Sequence, residues 1–466
     1  MNQQPLSDWC PFLSRRDLLR VGALGVAGSF LPSLAQSATK PKSVQSVIVL
    51  WMAGGMTHHD SFDPKPDAPE EIRGTLSAIR TKLPGVQFCE TMPNLAHIAD
   101  KLAVIRTFAS GNNDHFRSQA YALSGRDVTR TQITTEPNVG CLVSKLLGGR
   151  NGFPGYITVP GTTRPGPPGK NLFVPGWLGQ EHAPFSSGGK PRNEDFTQGV
   201  KEADEEELNR QSLMLAPGTD AKRVTGRRTL RRRLDQALGD LEQAQNAGAL
   251  DRQFQSAFDM LLSPRVRRAF DLRKESTKIR ETYGQTKIGQ RCLLARRLVD
   301  AGARFVLVDY GYDPEYGNLW DNHNAPSQNF PHISKMAKLP YHVAGVDRAF
   351  AALLNDLDTR GRLDQTLVVL LTEFGRTPKI NKRGGRDHWG KTGSIFFAGG
   401  GAKVGQVIGK TDKQGGEPAT RSYSPADVAA TIYHFLGISP ETMVQDIQGR
   451  PLPVLPDGSA ITEVIG

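Results

Sequence analysis

The chain has 466 residues, 38% of them hydrophobic, and a formal net charge of +11. That size and apolar content suit a large globular core and exclude a disordered chain. The basic excess does not point to nucleic acid, because its densest run, residues 222–233, has no interleaved aromatics and no reading motif.

Residues 14–20, SRRDLLR, precede an apolar segment, 21–34, that is too short and too rich in glycine and alanine to span a bilayer in the mature protein. With the small-residue end at Ser33-Leu34-Ala35, residues 1–35 read as a twin-arginine signal peptide. The mature chain, 36–466, is then expected in the periplasm or cell envelope, with the twin-arginine export machinery as a partner and no stable membrane span. Arg15, Arg16 and Arg20 leave with Asp8 and Asp17, so the mature chain stays basic. Beyond Cys10 the cysteines are Cys89, Cys141 and Cys292, too few for a disulfide framework and without the CxxC spacing of a thiolate zinc site.

Residues 44–52, VQSVIVLWM, predict a first buried strand, and Gly54-Gly55 allows a sharp turn at its tip. His58, His59, Asp60 and Asp63 follow at once. So dense a set of nitrogen and oxygen donors is expected to hold at least one metal ligand, with His58 and Asp60 as candidates, while the others cap a turn or helix. Residues 93–101 predict a helix and 102–108 a strand. The polar loop SGNNDH then leads into another helix, with Asp114 as its cap and His115 at its start, where amide dipoles favour an anionic group. Residues 137–147 predict an amphipathic helix and 155–160 a short strand.

Residues 161–190 are rich in glycine and proline and are expected to drape over the site, with Arg164, Lys170 and His182 as candidate substrate contacts. A helical insertion is expected over about 200–285, from the leucine, alanine and phenylalanine spacing of residues 227–280. A helix at 287–300 and a strand at 304–310 lead to the loop that carries Asp321 and His323. A D-x-H pair supplies a hard oxygen and an imidazole, suited to zinc, manganese or iron.

An apolar stripe from Val343 to Leu357 marks a core helix before residues 366–371, whose unalternating β-branched and leucine residues predict a central parallel strand covered on both faces. Glu373 sits at its tip, and Arg376, Asp387 and His388 follow in the next loop. In open α/β sheets ligands bind outside the carboxyl ends of the strands, so these groups are expected to converge there. Residues 394–398 predict a strand, the glycines at 399–401, 405 and 409 a hairpin, and Ser424-Pro425-Ala426-Asp427 the capped start of the last core helix.

The presequence, GGMTHHDSFDPKPDAP, YGQTKIGQRCLLARRLVDAGARFVLV, the Trp-Asp-Asn-His loop, TEFGRTP and GRDHW resemble an exported bacterial family catalogued as domain of unknown function 1501, over nearly the whole mature chain. That family is similar to the alkaline phosphatase and sulfatase superfamily. The resemblance implies an alkaline phosphatase-like α/β fold, a three-layer α/β/α sandwich around a mostly parallel sheet. It implies Asp60 as the first acid, Asp321 and His323 in the middle loop, Glu373 as the acid of an Asp-His pair, and His388 as the late histidine. Two positions depart from the superfamily pattern: His115 fills the nucleophile slot, with Ser118 three residues on, and Phe374 stands where the paired histidine belongs.

The expected function is an exported metal-dependent hydrolase of phosphate or sulfate esters, acting on an anionic ester or polysaccharide. The expected cofactor is a divalent metal, zinc first, with calcium or manganese as alternatives. Its expected ligands are His58, Asp60, Asp321, His323, Glu373, Asp387 and His388. The candidate catalytic residues are His115, Ser118 and Arg376, the last to offset transition-state charge or to bridge to a neighbouring acid such as Glu373. The two departures also admit a non-catalytic envelope binding or assembly protein on the same scaffold.

Overall fold

A computed structural model describes residues 44–160, 172–187, 225–226, 259–313, 317–326 and 328–466. The expected signal peptide, Arg164, Lys170 and most of the expected helical insertion lie outside the described residues.

The chain order is β1 (Ser46–Met52), β2 (Ala103–Phe108), α1 (His115–Ser124), α2 (Val139–Leu147), β3 (Tyr156–Val159), β4 (Phe185–Ser186), α3 (Pro264–Phe270), α4 (Thr277–Tyr283), α5 (Lys287–Ala301), β5 (Phe305–Asp309), α6 (Val343–Thr359), β6 (Thr366–Thr372), β7 (Gly393–Gly399), β8 (Gln406–Ile408) and α7 (Pro425–Phe435). The eight strands form one sheet in the order β8-β2-β7-β6-β1-β5-β3-β4. All pair in parallel except β7, which is antiparallel to both its neighbours.

Strands β1 and β6 are buried along their whole length, which is why both read as continuous apolar runs without alternation. Side chains on the two faces are gathered by different helices. Val49, Leu307 and Leu371 line a small apolar cavity with Ala122 of α1, Val139 of α2 and Val428 of α7. Leu370, next to Leu371, points to the opposite face. Its cross-strand partner Phe396 meets Phe350 of α6 edge-on, with ring centroids 6.4 Å apart, and α6 packs on α5. The result is a three-layer α/β/α sandwich, as expected.

Two expectations need correction. Strand β6 is parallel to β1 on one side only, since β7 runs against it on the other. The glycine-rich stretch after β7 is not a hairpin. Because β7 is already flanked by β6 and β2, it has no open edge to offer; β8 instead adds in parallel to the free edge of β2. The cap of α7 is as read: Ser424 and Asp427 satisfy each other's backbone amides. No helix among the described residues is long and apolar enough to cross a membrane.

Candidate metal centre

Three strands deliver the site from their carboxyl ends, and α1 brings its first residue to them. At the tip of β1, Gly54 and Gly55 adopt φ of +122° and +92°, and a Cβ would fall 2.8 Å from the Asp321 backbone nitrogen and 2.6 Å from the Phe374 ring respectively. Only glycine permits that close approach. Beyond β6 the chain forms a short antiparallel ribbon, Gly375–Arg376 with His388–Trp389, which sets His388 opposite Arg376. Phe374 stacks on the His388 ring, centroids 5.1 Å apart, and also flanks His115. The side chain that stands where the resemblance implied a histidine thus buttresses two others.

The centre of the site is Asp321 Oδ1. It lies 3.0 Å from Arg376 Nη2, 2.9 Å from His323 Nδ1, 3.0 Å from His388 Nε2 and 3.1 Å from His115 Nε2. A carboxylate oxygen has about two lone pairs, so four nitrogens at such distances are more than hydrogen bonding alone accommodates. The far side of each ring explains the crowding. His115 Nδ1 donates to Glu373 Oε1, and His388 Nδ1 donates to the Asn113 carbonyl at 3.1 Å. A carbonyl can only accept, so His388 Nδ1 carries the proton in that contact, and in the neutral ring this tautomer turns the Nε2 lone pair toward Asp321; His115 has the same arrangement when its Nδ1 donates to Glu373. Two imidazole nitrogens and a carboxylate oxygen that converge in this way make a donor set that a cation could bridge. Histidine ligands whose second nitrogen donates to a carboxylate or carbonyl are the usual arrangement around bound metals.

The electrostatics agree. Burial lowers the His388 pKa, helped by the Arg376 charge and against the pull of Asp321, so the ring favours its neutral, ligating form. Burial works to raise the Asp321 carboxyl, but hydrogen bonding at Oδ1 and the Arg376 charge outweigh it and hold the group well below the ordinary carboxylate range. The ligating atoms of His115, Asp321 and His388 all lie within 4.8 Å of one another, so the donor set fits one ion.

Other expected site residues are placed differently. Asp60 is buried in a two-pronged ion pair with Arg386, at 2.9 and 3.2 Å, and also accepts from Thr57 Oγ1 at 2.7 Å. His58 is buried, with Nε2 donating to the Gly415 carbonyl at 2.8 Å. Asp387 is exposed and accepts from Asn381 Nδ2 at 3.0 Å. None of the three reaches the cluster, because each is committed to holding a loop. Ser118 Oγ donates to the Asn112 carbonyl at 2.9 Å and is buried within α1, so it is not poised as a nucleophile. Arg376 is fully buried and donates to the carbonyls of Gly54, Gly55 and Arg386 as well as to Asp321. It holds Asp321, which is its acid partner in place of Glu373. Glu373 stands behind His115, one bond removed from the ligand position expected of it. His115 itself joins the donor set rather than occupying a nucleophile's place. His182 pairs with its neighbour Glu181 at 3.2 Å.

Sequence reasoning missed Arg386 and Asn113. The first sits in GRDHW with nothing local to mark its partner 326 residues away. The second acts through its backbone carbonyl, which carries no side-chain signature.

A family described as Protein of unknown function (DUF1501) matches residues 44–465. The chain belongs to that family. For this DUF1501 chain no curated protein matches. Solved structures similar to it include a phosphonate monoester hydrolase of Agrobacterium radiobacter, at 13% identity over 90% of this chain and 77% of that one, TM-score 0.37. The PsFucS1 sulfatase from Pseudoalteromonas sp. is 13% identical over 91% and 72%, TM-score 0.35. The lipoteichoic acid synthase LtaP from Listeria monocytogenes is 10% identical over 88% and 75%, TM-score 0.34. Likeness this loose says nothing about the chemistry of the cluster.

One consequence of the packing beneath the site is a pH dependence. His342 is fully buried against Trp320, donates Nε2–H to the Leu319 carbonyl at 2.9 Å, and is pushed by that burial down to about 4 from 6.5. Burial also lowers His58 and His59. A folded pKa below the unfolded one leaves stability complete above pH 6.5 and removes it as pH falls toward 4. For His342 alone the loss is about 3 kcal/mol. Urea midpoints across that range should fall with acid in the wild type and less steeply in His342→Gln; parallel curves would show that His342 does not drive the effect.

Proposed function

We propose that this protein is an exported metal-dependent hydrolase of phosphate or sulfate esters, with residues 1–35 as its twin-arginine signal and 36–466 as the mature chain in the periplasm or envelope. The observation that carries the proposal is the convergence of His115 Nε2 and His388 Nε2 on Asp321 Oδ1 with both Nδ1 atoms engaged elsewhere. Two imidazoles and one carboxylate favour zinc or manganese over calcium, which takes six or more oxygens. A divalent cation there would supply Lewis acidity toward an ester oxygen.

The chain's own residues have separable tasks. Glu373 keeps the His115 proton on Nδ1, and the Asn113 carbonyl does the same for His388. Arg376 keeps Asp321 ionised and in place. The amino end of α1, capped by Asp114 through the Arg117 amide at 3.0 Å, turns amide dipoles toward an anionic ester. His323, whose Nδ1 is held by Asp321, presents Nε2 to take a proton from an attacking water. With Ser118 engaged by Asn112, water rather than a protein hydroxyl is the nucleophile.

The test is release of phosphate or sulfate from a panel of aryl esters and modified polysaccharides by zinc- or manganese-loaded protein. Turnover should appear on at least one ester class and drop by about 10²-fold or more in His323→Ala, the scale of a lost general base. Metal binding without turnover across the panel would remove the hydrolase reading and leave the non-catalytic envelope protein.

A further inference from the structure

A polar cavity of about 170 Å³ opens at the amino ends of the central strands. Ser46 and Thr366, the first residues of β1 and β6, line it, whereas the metal centre follows the last residues of the same strands. Strands of this length put the two places about 20 Å apart.

Arg150, Arg265 and Arg362 line this cavity, with one carboxylate, Asp300, among the other lining residues. That carboxylate is already shared: Oδ2 lies 3.3 Å from Arg296 and 3.7 Å from Arg360, and Oδ1 lies 3.6 Å from Arg362. The cations around the cavity are only lightly used. Arg265 makes no hydrogen bond or ion pair with any described residue. Arg150 spends Nε on the Gly302 carbonyl at 2.9 Å and Nη2 on Ser46 Oγ at 3.1 Å, which leaves Nη1. Arg362 reaches Gln365 Oε1 and the Asp300 carbonyl only at 3.5 and 3.4 Å. Burial, together with the charges of Arg304, Arg362 and Arg265, lowers the Arg150 guanidinium from its ordinary value. Like charges gathered around a cavity repel, and an anion between them reverses the sign of that interaction.

We propose that this cavity is a binding site for a tetrahedral oxyanion, phosphate or sulfate, separate from the metal centre. Guanidinium forks match the oxygens of such a group in pairs, and the volume admits one with a few bridging waters. The binding is independent of the proposed hydrolysis and stands if that reading fails.

The experiment is calorimetry and thermal unfolding of the full chain in inorganic phosphate, inorganic sulfate or dextran sulfate, against sodium chloride of equal ionic strength. Phosphate or sulfate should raise the unfolding temperature beyond chloride and bind with a measurable Kd. Arg265→Gln should weaken that binding roughly tenfold, the scale of one charge-assisted hydrogen bond. Arg362→Gln should act likewise, and His388→Ala, which disables the metal centre, should leave it unchanged. Because Arg265 is exposed and bonded to nothing described, its variant reports even if Arg362→Gln folds poorly. Binding of the free ions identifies a free oxyanion as the source; binding of dextran sulfate alone identifies a polymer-borne group. An equal response to chloride, loss of binding in His388→Ala, or wild-type binding in Arg265→Gln overturns the proposal.

Discussion

Asp60→Ala should destabilise the folded chain by about 3–5 kcal/mol, the cost of leaving one member of a buried ion pair without its partner. The partner is Arg386, whose Nε and Nη2 meet the two oxygens of Asp60 while Nη2 also reaches the Ile72 carbonyl at 2.8 Å. Both side chains are excluded from water, at 0% and 1% exposure, so solvent cannot take over for the missing carboxylate. The pair ties the turn after β1 to the loop that carries His388, so the loss is felt at the centre as well. Urea unfolding with and without a chelator separates this account from a ligand role. The structural pair predicts the same loss in both conditions, whereas a metal ligand's effect would largely disappear once the metal is stripped.

The other large effect concerns metal affinity. His115→Ala and His388→Ala should each lower it by more than about a hundredfold, and Glu373→Gln by about 10- to 100-fold, the range for a group that orients a ligand from behind. The double variant should be little worse than either single one, because the first loss already empties the site. His323→Ala should keep its metal, since His323 bonds to Asp321 without belonging to the converging set. Competition with a chromogenic chelator measures all of these. If His323→Ala lost metal as completely as His388→Ala while His115→Ala kept it, the ligand set would be the one the sequence order implied.

Much of the fold was legible because burial on both faces writes itself into composition. VIVLWM and TLVVLLT could be read as sheet interior from their lack of alternation, and Ser424-Pro425-Ala426-Asp427 states its cap in four residues. Strand direction was not legible in the same way. Nothing in SIFFAG shows that β7 runs against its neighbours or that it lies between β6 and β2, the position that sends β8 to the edge of β2. At the site, residue types near strand ends were a fair guide to where the chemistry gathers but a poor guide to roles. Asp60 and Asp321 are both acids beyond a strand tip. Arg386 neutralises one and three imidazoles surround the other, and only the folded chain distinguishes them. His115 reads as a substituted nucleophile because the order of the motifs fixes its slot, while its place in the donor set depends on which oxygen its Nδ1 meets. That oxygen belongs to Glu373, 258 residues further on.

The central claim is that His115, Asp321 and His388 hold one divalent cation between them. Its most direct test is anomalous diffraction at the zinc edge from crystals of zinc-loaded protein. The arrangement predicts one strong peak within bonding reach, about 2.0–2.2 Å, of His115 Nε2, His388 Nε2 and an oxygen of Asp321. A loaded crystal with no peak there, or with its peak at Asp60 and His58 instead, would contradict it.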